Sequence, residues 1–156
     1  MNQIPKPIHI INVPLDLGAS RRGTDAGPSA FRVAGLGRQI REMGYTISNE
    51  TDVPVPAMET RKTSDTKTRF KEEILEVCEE LASHTVAALE AGEWPLVIGG
   101  DHSIAMGTVS GLSSHLRKSG QKLGLIWFDA HGDMNLPCLL YTSPSPRDPL
   151  RYLVCR

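Results

Sequence analysis

A chain of 156 residues with a formal net charge of -1 has room for one packed domain. It lacks the basic excess that would make nucleic acid or an acidic membrane surface a partner. No apolar run approaches the roughly 18 residues of a membrane helix.

Residues 1–7 lack the charged-then-apolar layout of a secretory signal. Cys78, Cys138 and Cys155 show no metal-type spacing, so they read as reduced thiols in a cytoplasmic protein.

Residues 8–13 are apolar and rich in β-branched side chains, which predicts a first strand. His9 within it reads as a satisfied strand residue. A loop marked by Asp16, Gly18, Arg21, Arg22, Gly23 and Gly27 follows. Pro28 then suits the first position of a helix. Ala30, Phe31, Ala34, Leu36, Ile40 and Met43 give that helix one apolar side, and Gly44 is placed to end it.

Residues 47–53 predict a second strand, broken by Pro54 and Pro56, and residues 60–68 read as polar linker. A long helix is expected over about 67–91, its stripe drawn by Phe70, Ile74, Val77, Cys78, Leu81 and Leu89. His84 falls on its solvated face. Residues 94–98 predict a third strand ending in Gly99-Gly100-Asp101-His102-Ser103, where two glycines allow a sharp turn. A helix over 104–116 follows. Gly107 and Gly111 inside it imply close packing against a neighbour. Residues 123–128 (Leu-Gly-Leu-Ile-Trp-Phe) read as a fully buried fourth strand.

Strands alternating with helices imply a parallel sheet with right-handed crossovers. Ligands of such sheets bind beyond the carboxyl ends of the strands. Two groups fall there. His102 follows the third strand. Asp129-Ala130-His131-Gly132-Asp133 follows the fourth, and in an extended chain Asp129, His131 and Asp133 share one face. Converging carboxylates and imidazoles repel or shift one another unless a cation sits between them. The bland alternative is a set of loop residues with no ligand. The mixed oxygen and nitrogen donors suit manganese, iron or zinc. One ion, or two about 3.5–4 Å apart, both remain open on these residues.

Gly99-Gly100-Asp101-His102-Ser103 and Asp129-Ala130-His131-Gly132-Asp133-Met134-Asn135 resemble the first two metal-binding motifs of the ureohydrolases. That family includes arginase, agmatinase and related guanidino or formimino hydrolases. Val13-Pro14-Leu15-Asp16-Leu17-Gly18, Arg21-Arg22-Gly23 and Gly27-Pro28-Ser29-Ala30 resemble the arginase branch in particular. The resemblance implies a three-layer α/β/α fold with a mainly parallel central sheet, here truncated. It implies two Mn²⁺ ions per site, with His102, Asp129, His131 and Asp133 among the ligands. It also implies that Asn135 holds the amino-acid end of L-arginine, which metal-bound hydroxide hydrolyses to L-ornithine and urea. Agmatinase or another guanidino or formimino hydrolase, and a non-catalytic ureohydrolase-like subunit, are the alternatives. A homotrimer or homohexamer is implied for the complete protein.

The family's downstream metal aspartates, substrate loop with its histidine, and guanidinium-binding glutamate have no match here. Composition changes after Pro137 to proline, serine and arginine without helix or strand period. Residues 138–156 resemble translated sequencing-library adapter. Residues 1–137 are therefore expected to be the N-terminal part of one ureohydrolase domain, inactive alone, and 138–156 a non-native tail.

Overall fold

The computed structural model describes residues 5–19, 21–61 and 69–129. The chain divides into two units, Met1–Leu123 and Gly124–Arg156. The first contains every helix and strand among the described residues. In order these are β1 (Ile8–Val13), α1 (Gly27–Val33), α2 (Leu36–Glu42), β2 (Ile47–Asp52), α3 (Lys71–Glu90), β3 (Trp94–Gly99) and α4 (Ile104–Lys118). Short 3-10 turns occupy Thr24–Ala26 and Met58–Thr60.

The three strands run parallel in the order β2-β1-β3. β1 is central, and five of its six residues are buried. Because strand side chains alternate, its two faces feed two cores. Ile11 and Val13 pack with Val53, Phe70, Val77 and Leu81 on the α3 side. Ile10 packs with Ile40 and Ile98, flanked by Leu36 and Tyr45, on the α2 side. Helices therefore cover both faces of a parallel sheet, the layered architecture expected.

His9 is buried at 5% exposure and fully engaged. One ring nitrogen lies 3.1 Å from Glu93 Oε2 and the other 2.8 Å from Thr51 Oγ1. It is a satisfied strand residue, as expected.

Three expectations need correction. The single helix over 28–43 is two helices, because Gly35 adopts the left-handed conformation (φ 78°) and its N–H caps Arg32 O at 3.0 Å. The long helix begins at Lys71 rather than near 67, since Phe70 sits at φ 54° and cannot continue a right-handed turn. Burying its ring in the core, worth about 1.5–3 kcal/mol, offsets the roughly 1–2 kcal/mol that the left-handed backbone costs. The third correction matters most for function. Residues 121–129 form neither strand nor helix, and Ile126 is 92% exposed. An apolar run becomes a buried parallel strand only when a sheet edge pairs with it and both its faces are covered. Its own sequence cannot supply either condition. The domain boundary expected at Pro137 lies outside the described residues.

On the α1 side the buried Asn12 side chain donates to Glu50 Oε1 at 3.0 Å, and Arg32 Nε donates to the same oxygen at 3.0 Å. Arg32 also pairs with Asp52, which fastens α1 to β2. Asn12 first and Arg32 second hold the Glu50 carboxyl below its ordinary range. A depressed carboxylate adds stability above the unfolded-state pKa, and that stability is lost as pH falls through the folded value. Glu50 is 45% exposed, so solvent screening keeps the effect small. In thermal melts, the gap between wild type and Glu50→Gln should be widest near neutral pH and close as pH falls through the depressed folded value. A gap that persists at acid pH would mean that packing, not charge, sets it.

Candidate metal centre

Two loops meet at the carboxyl end of the sheet. The first leaves β1 at Val13 and carries Asp16, Gly18 and Arg22. Asp16 is buried at 2% exposure, and Arg22 Nε donates to its Oδ2 at 2.5 Å. The same guanidinium pairs with Glu59 and approaches Asp25 at 3.4 Å. Donating hydrogen bonds to Glu59 and then to Asp16 raises the Arg22 pKa beyond its ordinary value. This arginine therefore stays charged and pins the loop against the Met58–Thr60 turn. The sequence marks Arg22 only as part of a glycine- and arginine-rich loop. Its acidic partners lie up to 37 residues away, and only the fold brings them together.

The second loop leaves β3 and holds His102. Gly100 takes φ 148°, and a Cβ there would lie 2.7 Å from Val13 O and 2.8 Å from Leu15 O. Only glycine lets the two loops pass so closely. The Asp101 N–H donates to Leu15 O at 2.7 Å. The Asp101 carboxylate accepts the Gly18 N–H at 2.7 Å on one oxygen and the Ser103 N–H at 2.8 Å on the other. Beneath the loop, the Cys78 thiol donates to Ser103 O at 3.2 Å. Burial raises that thiol's pKa. Cys78 is thus a buried hydrogen-bond donor rather than a thiolate ligand, and Asp101 is a knot between loops that spacing alone did not reveal.

His102 sits between these anchored peptides, exposed, at the entry to α4. That is the strand-end position expected of it. Asp129 is half-buried at the end of the run over 121–129, with no strand behind it. His131, Asp133 and Asn135 lie outside the described residues. Among the described residues no group of three or more His, Cys, Asp or Glu side chains is arranged to hold a metal. Imidazole and carboxylate, the donor types named from the sequence, suit manganese, iron or zinc, and the nearby Cys78 thiol is committed to Ser103 O.

Ligands of open α/β sheets bind beyond the carboxyl ends of the strands, where this domain places His102 on a glycine-hinged loop. Comparison with known proteins gives the family. The arginase family model matches residues 6–153, and the chain belongs to that family. It is 43% identical over 141 residues to the arginase of Bacillus caldovelox, covering 90% of this chain and 45% of that protein. The solved arginase of Bacillus subtilis superposes with a TM-score of 0.72 at 40% identity, covering 91% of this chain and 44% of that one. The Entamoeba histolytica arginase, solved with L-ornithine, gives a TM-score of 0.69 at 27% identity over 86% of this chain and 45% of its own. The chain thus spans under half the length of the relatives it matches.

Proposed function

We propose that this chain carries the first part of an arginase site, one that hydrolyses L-arginine to L-ornithine and urea. The observation that carries the reading is His102, held beyond β3 by the Asp101 knot in a chain of the arginase family. His102, Asp129, His131 and Asp133 would hold a pair of Mn²⁺ ions. When bound, these would supply a Lewis-acid centre able to activate water against the guanidinium carbon.

Asn135 would meet the amino-acid end of the substrate, since a side-chain amide can hydrogen-bond a carboxylate that agmatine lacks. The ornithine-bound Entamoeba relative supports an amino-acid ligand for the family site. A cytoplasmic location and a homotrimer or homohexamer of the complete protein belong to the same proposal.

The test joins residues 1–137 to the remaining half of the Bacillus subtilis arginase and loads the product with Mn²⁺. Urea release from L-arginine should exceed that from agmatine at least a hundredfold, and His131→Ala should abolish it. A preference for agmatine would replace the substrate. Full turnover by His131→Ala would remove the proposed ligand set.

A further inference from the structure

We infer that Asp101 is a positioning residue that fixes His102 by tying the β1–α1 loop to the β3–α4 loop. The inference rests on the functional reading above only for the purpose His102 serves. Its geometry stands without it.

The Asp101 carboxylate divides its two oxygens between two loops. Oδ2 accepts the Gly18 N–H at 2.7 Å and Oδ1 accepts the Ser103 N–H at 2.8 Å. The Asp101 N–H returns to Leu15 O at 2.7 Å. Asp101 is thereby tied to the chain that leaves β1, and its carboxylate holds the Ser103 N–H on the other side of His102. The Cys78 thiol on Ser103 O adds a third tether, from α3. Gly18 is part of the fit, because a Cβ there would run into Ser103 Oγ and lie 3.1 Å from Asp101 Oδ2. A side chain that merely capped α4 would need the Ser103 bond alone. The reach of 83 residues to Gly18 is what a positioning role requires.

Asparagine separates the two functions. An amide has one acceptor oxygen, and its nitrogen would present donors to a donor. Asp101→Asn can keep the Ser103 bond or the Gly18 bond but not both. Gly18 is exposed, so its amide owes its protection to this bond. In the 156-residue chain, Asp101→Asn should speed Gly18 exchange at least tenfold relative to Ile11, which lies in the central strand. The His102 ring signals should broaden or multiply, while those of the buried His9 stay single. An unchanged Gly18-to-Ile11 ratio, or an unchanged His102 ring, overturns the inference.

If the variant unfolds, the wild-type chain decides. A scalar coupling across the hydrogen bond, from Gly18 ¹⁵N to the Asp101 side-chain carboxyl ¹³C, supports the knot, and its absence overturns it. Mn²⁺ titrated into the protein joined to the Bacillus subtilis half reads the functional proposal separately. Selective broadening of His102 supports that proposal. No broadening removes it and leaves the Asp101 result standing.

Discussion

Gly107→Ala is expected to destabilise the domain by about 2–3 kcal/mol, although alanine is the better helix former. Two effects oppose each other. In a solvent-facing helix the substitution would add about 1 kcal/mol of stability. Here the new methyl would lie 2.6 Å from Cys78 O and 3.1 Å from Leu81 Cβ. The first contact is backbone of α3, so no side chain can rotate away. The helices must separate, and the packing around Leu81, which is fully buried, opens with them. Gly111 sits one turn further along, where a Cβ would lie 2.7 Å from Ala82 O, so the close approach is maintained over two turns. Ser110→Ala, on the exposed side of the same helix, is the control and should be neutral or slightly stabilising. Chemical denaturation of the three proteins measures the effect. A Gly107→Ala variant as stable as wild type would mean that α3 and α4 are not in backbone contact.

The consequence reaches the candidate site. α4 starts at Ile104, two residues after His102, and Cys78 lies both against Gly107 and on the Ser103 carbonyl. A shift of α4 away from α3 therefore moves the histidine loop as well. Packing in the helical layer and placement of a proposed ligand depend on the same few atoms.

Much of this architecture is legible in the sequence because it is local. Residues 8–13 and 94–98 announce strands through mainly apolar runs that carry β-branched residues. The stripe through Val77, Cys78 and Leu81 announces a helix face, and Gly107 and Gly111 announce close packing. What escaped reading depends on distant partners. Gly35 breaks a helix whose apolar period continues across it. Phe70 accepts a left-handed backbone only because a core awaits its ring. Arg22 and Asp101 look like ordinary loop residues until the fold brings Glu59 and Gly18 to them. Residues 123–128 err in the opposite direction: they have every property of a buried strand except a place in the described sheet. The motif after them resembles the family's through residue identity, while the strand that would put Asp129, His131 and Asp133 on one face is not formed by the described residues 121–129.

That gap sets the second large expectation. The 156-residue chain alone, supplied with Mn²⁺, should release no urea from L-arginine above a His131→Ala control. Catalytic groups must be held within about 0.5 Å of their working geometry, and a displacement of about 1 Å can cost a hundredfold in rate. The loop of His102 is restrained, since the Asp101 N–H donates to Leu15 O, its carboxylate accepts the Gly18 N–H, and the Cys78 thiol donates to Ser103 O. Asp129 closes the run over 121–129, in which no strand or helix sets its direction. Four protein donors are also few for two ions. The join to the Bacillus subtilis half described above is therefore the informative partner experiment. It should gain Mn²⁺-dependent urea release of at least 10⁴ over the chain alone, a factor of about two such displacements. Together with that gain, residues 123–128 should become protected from hydrogen exchange, because the strand their composition calls for would have formed. Urea release by the isolated chain that His131→Ala abolishes would show instead that the stretch from Asp129 to Asp133 orders itself around the metal without a sheet to hold it.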